Sequence, residues 1–134
     1  MTEFYEPVKE RLMRYARINT ESNPHSTSVP TTSCQHDLAK VIYEELQKIG
    51  ATNVYYDKDT CVVYGSLEAN VKTGRAIGFV THMDTAPDAS SKDVKPWILE
   101  NYDGNDIVLN KEKDIVMSPS VFPNQIGRAS CRER

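Results

Sequence analysis

The stretch Arg75-Ala-Ile-Gly-Phe-Val-Thr-His82-Met-Asp84-Thr85-Ala-Pro87-Asp88 decides how this chain is read. Ala76 to Val80 is a short apolar run without charge, bounded by Thr73-Gly74-Arg75 and by Pro87-Asp88. Such a run predicts a strand buried on both faces, as in the middle of a parallel sheet. Its carboxyl end then carries a histidine, a spacer and an aspartate, where open α/β sheets place their ligand crevices. Residues two apart on an extended chain face the same side, so His82 and Asp84 can pair. A metal-binding histidine usually gives its second ring N–H to a carboxylate, which fixes its tautomer and raises its basicity. His-x-Asp alone is a short pattern that also fits a polar strand end feeding a turn.

Upstream of that stretch the periodicity is helical. Phe4, Val8, Leu12, Tyr15 and Ile18 recur at three and four residues, predicting a helix that packs on a sheet. Pro7 is tolerable only in the first turn, so this helix starts near Tyr5 or Glu6. Asn19 to Ser33 is rich in Ser, Thr and Pro and reads as a loop, with His25 exposed within it. Thr32 or Ser33 can cap a second helix running to Ile49, where Gly50 stops it. Leu38, Val41, Ile42, Leu46 and Ile49 form its buried stripe, and His36 falls off that stripe as a surface residue. Val54-Tyr-Tyr-Asp and Cys61-Val-Val-Tyr64, separated by Lys58-Asp59, predict adjacent antiparallel strands. Downstream, Ile98-Leu99 and Ile107 to Leu109 flank an Asp103-Gly104 turn, and Ile115 to Met117 is a further short strand. The order of elements predicts an α/β fold with a mixed sheet flanked by helices.

Composition narrows the functional classes. The 134 residues are 39% hydrophobic and 26% charged, as in a globular protein. A formal charge of −3 gives no field for nucleic acid or for an anionic membrane surface. No apolar run approaches a membrane span, and the start lacks the basic and apolar segments of a secretory signal. A cytoplasmic protein is the expectation. Cys34, Cys61 and Cys131 show neither metal spacing nor a disulfide framework, and reduced thiols are expected.

Thr81-His82-Met83-Asp84-Thr85-Ala86-Pro87-Asp88 resembles the first metal-ligand motif of the co-catalytic zinc aminopeptidase and deacylase family. Glu100-Asn-Tyr-Asp-Gly-Asn-Asp-Ile-Val-Leu109, Met117-Ser-Pro119 and Phe122-Pro123 are similar to its peptidase T branch, the tripeptide aminopeptidases. Asn19-Thr20-Glu21-Ser22 resembles the Asp-Thr-x-Ser loop common there. The resemblance runs from about Glu6 to Pro123. It implies an incomplete α/β domain, the N-terminal part of a zinc-peptidase catalytic domain over residues 1–124. It implies two zinc ions per complete site, His82 as a metal ligand and Asp84 as the catalytic residue that orients it.

A metal pair suits peptide hydrolysis because one ion polarises the carbonyl while the pair lowers the pKa of the attacking water. The substrate so implied is a small peptide, whose N-terminal residue is released. The bridging Asp, the Glu-Glu pair supplying base and ligand, a further Asp and a distant His lie downstream in that family. Catalytic zinc takes about three protein ligands, and His82 supplies one. The chain alone is therefore expected to be inactive, with its central strand short of neighbours and exposing an edge. A small non-catalytic binding domain is the competing reading.

Gln125-Ile-Gly-Arg-Ala-Ser-Cys-Arg-Glu-Arg134 falls outside the resemblance and resembles the in-frame translation of a sequencing-library adapter. Residues 125–134 are accordingly read as a non-native tail, with a genuine basic tail as the alternative.

Overall fold

The computed structural model describes residues 4–72 and 74–123. They form two compact units, one over Lys9–Pro96 and one that joins residues 4–8 to 97–123. The class is α/β: two helices, and two small antiparallel sheets of two strands each. The proposed tail at 125–134 lies outside the described residues.

Helix α1 spans Tyr5–Tyr15 and begins where Pro7 requires. Its apolar stripe does not pack on a sheet as predicted. No α1 residue is buried, and Val8 and Leu12 are exposed. The helix is held by polar groups at its end instead. Arg11 Nε donates to Glu45 Oε2 at 3.3 Å, Arg14 donates to Glu45 Oε1, and the Tyr15 hydroxyl donates to Glu45 Oε2.

Helix α2 spans Gln35–Lys48 and packs on the hairpin that follows it. The predicted cap at Thr32 or Ser33 is not made. Cys34 occupies the cap position without a side-chain capping bond, and the Thr32 hydroxyl donates to the Glu21 carbonyl at 2.6 Å. The other end follows the prediction. Gly50 lies at φ 82°, its N–H donates to the Gln47 carbonyl at 3.1 Å, and the Ala51 N–H donates to the Leu46 carbonyl at 3.0 Å. That pair of bonds is a Schellman stop, which needs the left-handed conformation glycine adopts cheaply. Within the predicted stripe Leu38 is buried, but Ile49 is the C-cap residue just past the last helical turn and is exposed.

Strands β1 (Thr52–Asp57) and β2 (Val62–Ser66) pair antiparallel, with Tyr55 opposite Tyr64 and Asp57 opposite Val62. The register shifts between Thr52 and Tyr55, where Asn53 takes φ 51°, one of the few non-glycine types that tolerate it. At the turn, Asp57 accepts from the Asp59 N–H at 3.0 Å and from the Thr60 hydroxyl at 2.7 Å. The core between α2 and this hairpin is small. Among the described residues, the buried apolar side chains are Leu38, Ala39 and Cys61.

In the other unit, β3 (Ile107–Asn110) pairs antiparallel with β4 (Ile115–Met117). Ile98-Leu99 forms no strand, so the Asp103-Gly104 turn does not close a hairpin. It is set locally: Asp103 Oδ1 accepts from the Asn105 N–H at 3.0 Å, and Gly104 takes φ 88°.

The central-strand prediction fails. Residues 75–84 form no strand, and Ile77, Phe79 and Val80 are 81%, 93% and 100% exposed. A strand buried on both faces exists only where neighbours pair with both edges and elements cover both faces. Among the described residues neither two-stranded sheet supplies such a neighbour. The single mixed sheet is likewise replaced by two antiparallel pairs, and the parallel component is one isolated bridge, Glu21 to Thr85. The small core and short sheets are those of an incomplete α/β domain.

Candidate functional site

His82 and Asp84 meet although the strand beneath them is absent. His82 Nδ1 lies 3.1 Å from Asp84 Oδ1 and 2.9 Å from the Asp84 carbonyl oxygen. Both neighbours are acceptors, so Nδ1 is the donor to them. The His82 side chain is 83% exposed and that of Asp84 42%. The ring is therefore held at Nδ1 and otherwise largely exposed.

The other histidines are elsewhere. His25 sits in an exposed loop whose backbone N–H donates to Asn23 Oδ1 at 3.0 Å. His36, expected on the surface, is half-buried, and its Nδ1 contacts the Tyr56 hydroxyl. Among the described residues no group of three His, Cys, Asp or Glu side chains could hold a metal ion.

What positions the pair is the residue after it. The Thr85 N–H donates to the Thr20 carbonyl at 3.1 Å, and the Thr85 carbonyl accepts from the Ser22 N–H at 2.9 Å and the Ser22 hydroxyl at 3.0 Å. The loop Asn19–Ser22 is itself fastened. Glu21 Oε2 accepts from the Ser91 N–H at 3.1 Å, and Asn19 Oδ1 accepts from the Ser91 hydroxyl and from the Glu21 N–H. Thr20 and Ser91 are buried, and burying such polar groups is tolerable because these bonds satisfy them. Beside the bridge lies a cavity of about 430 Å³ lined by Ser22, Asn23, Thr31, Gln35, Thr60 and Asp84 among others.

Sequence reasoning had singled out Asn19-Thr20-Glu21-Ser22 by resemblance, but not its clamp on Thr85. Ser91 carried no signal at all, since it stands in a polar loop like many others.

The chain is 46% identical over 125 residues to peptidase T of Alkaliphilus oremlandii, covering 89% of this chain and 30% of that protein. It is 48% identical over 119 residues to peptidase T of Clostridium acetobutylicum, covering 88% and 29% respectively. The chain is related to peptidase T. A third match, to peptidase T of Geobacillus kaustophilus, is 48% identical over 115 residues and covers 85% of this chain and 28% of the relative. These matches support an N-terminal fragment of peptidase T, and the chain spans about 30% of the length of such relatives. No family model matches. The alignment covers 89% of the chain, so the His82–Asp84 pair, its Thr85 clamp and the Asn19–Ser22 loop lie within the aligned segment. No helix among the described residues is long and apolar enough to cross a membrane.

Proposed function

We propose that this chain is the N-terminal part of a zinc-dependent aminopeptidase that releases the N-terminal residue of tripeptides. The observation that carries the reading is the His82 Nδ1 contact with Asp84 at 3.1 Å in a chain related to peptidase T. His82 would hold a zinc ion through Nε2. Asp84 keeps the proton on Nδ1 and fixes the plane of the ring. Bound zinc supplies Lewis-acid polarisation and an activated water. The Thr85 clamp sets the direction in which the pair faces, and the cavity beside Asp84 gives space for a small peptide.

One histidine and one aspartate fall short of the ligands catalytic zinc requires. The 134-residue chain therefore does not turn over peptides by itself, and no catalytic step runs on its residues alone. In the complete protein the compartment would be the cytoplasm and the partner a small peptide, with no nucleic acid or membrane involved. The competing reading, should the gene encode no further ligands, is a non-catalytic remnant or small binding domain.

Sequencing the gene through the codons for Phe122 to Arg134 and assaying the encoded protein separates the two. The peptidase reading expects an open frame carrying the remaining Asp and Glu-Glu ligands. It also expects zinc-dependent tripeptide hydrolysis that His82→Ala abolishes. A stop codon after Arg134, or robust turnover by the 134-residue chain, overturns it.

A further inference from the structure

The candidate histidine is tied to the loop after α1 through a single peptide group. Asp84 and Thr85 share one planar trans unit, whose carbonyl and N–H point in opposite directions. Its carbonyl oxygen lies 2.9 Å from His82 Nδ1, and its N–H donates to the Thr20 carbonyl at 3.1 Å. Fixing the N–H edge therefore aims the carbonyl edge at the ring. The Asp84 carboxylate, 3.1 Å from Nδ1, is a second acceptor, but it turns about its own side-chain bonds and is 42% exposed. Of the two acceptors, the carbonyl is the one whose direction is set from outside.

Thr20 is held by its neighbours on either side. Asn19 Oδ1 accepts from the Glu21 N–H at 3.1 Å, closing a turn around Thr20. The same oxygen accepts from the Ser91 hydroxyl, and Glu21 Oε2 accepts from the Ser91 N–H at 3.1 Å. One side chain before Thr20 and one after it are thus fastened to a single buried residue. The Thr32 hydroxyl donates to the Glu21 carbonyl at 2.6 Å, so the loop is braced from the start of α2 as well. The route from these groups to the ring runs through Thr20, Thr85 and the Asp84 carbonyl.

We propose that Asn19, Glu21 and Ser91 are positioning residues for His82, acting through the Asp84–Thr85 peptide plane to keep the proton on Nδ1. That the other ring nitrogen is thereby left for a metal rests on the peptidase reading; the coupling of the loop to the ring does not.

Nitrogen NMR of the 134-residue chain, with chelator present and well above the usual histidine pKa, reads the two neutral ring forms of His82. The Nδ1–H form should predominate. Glu21→Ala removes the acceptor of the Ser91 N–H and should shift the ratio about fivefold toward Nε2–H, the worth of one hydrogen bond. Glu21→Gln keeps an oxygen acceptor there and should restore the ratio. Asn19→Ala and Asn19→Asp should repeat that loss and that rescue. Amide exchange within α2 should stay unchanged in each variant, which separates positioning from a general loss of fold. If the alanine variants at 19 and 21 lose that protection, Ser91→Ala, which removes only a hydroxyl, must show the same shift. An Nε2–H majority in the unsubstituted chain overturns the proposal. So does a ratio that the alanine variants leave unchanged, or a Glu21→Gln chain as altered as Glu21→Ala, which would make charge and not the bond responsible. No activity is read, so a complete protein that hydrolyses no peptide leaves these outcomes as they stand.

Discussion

Thr85 donates its backbone N–H to the Thr20 carbonyl at 3.1 Å, across a sequence separation of 65 residues. This bond and its return partners from Ser22 tie the His82–Asp84 pair to the loop after α1. The candidate site is thus held by backbone groups, and its geometry depends on them more than on any side chain. Thr85→Pro removes the donor and should destabilise the Lys9–Pro96 unit by about 1–3 kcal/mol, the cost of leaving the buried Thr20 region unpaired. Amide hydrogen exchange checks this: protection at the Ser22 N–H should be lost in the variant, while that within α2 is retained.

Glu45 is the electrostatic anchor of α1, and it makes stability depend on pH. Burial works to raise the pKa of its carboxyl, but the Tyr15 hydrogen bond and the Arg14 and Arg11 guanidinium groups outweigh it and hold the value below 4.5. A carboxyl depressed in the folded state contributes stability that is present above its unfolded pKa. That contribution fades as pH falls below about 4.5 through the folded value. Glu45→Gln should cost about 1–2 kcal/mol at neutral pH, with both arginine partners half-exposed. Urea midpoints measured from pH 7 downward should converge for the two proteins on the acid side.

The two described thiols should react at different rates. Cys61 is buried, and burial raises its pKa, with a hydrogen bond to Tyr56 and the charge of Lys40 only partly opposing this. Cys34 is half-buried at the start of α2. Because the thiolate is the nucleophile, iodoacetamide at neutral pH should label Cys34 at least about tenfold faster. Peptide mapping by mass spectrometry resolves each site, and equal rates would contradict the burial of Cys61 between the hairpin and α2.

Gly50 tests the helix stop. A Cβ added there meets nothing within 4 Å, so a substitution costs only the left-handed φ of 82°. Gly50→Ala should lower stability by about 1 kcal/mol, visible as a shift in the urea midpoint without a change in its slope. A larger loss would mean that packing, not conformation, decides this position.

Local pattern determined the elements of this chain. The three- and four-residue spacing of Leu38, Leu46 and their neighbours, with Gly50 beyond, located α2, and Pro7 located the start of α1. The β-rich runs around Lys58-Asp59 located the β1–β2 hairpin. Each of these rests on interactions within a few residues, which the sequence order itself brings together. The adjacency of His82 and Asp84 was legible for the same reason, since a side chain reaches its neighbour two residues on whatever the backbone does.

Tertiary structure decided what has no local cause. Ala76 to Val80 has the composition of a central strand, but a strand forms only when other strands accept its hydrogen bonds, and none among the described residues does. The stripe on α1 has the period of a packed helix, but Val8 and Leu12 stay exposed because no apolar face among the described residues covers them. The Thr20–Thr85 bridge, Ser91 beneath the loop and Glu45 under α1 were invisible for the complementary reason. Their partners lie tens of residues away, and single polar residues carry no periodic signal that names a distant partner.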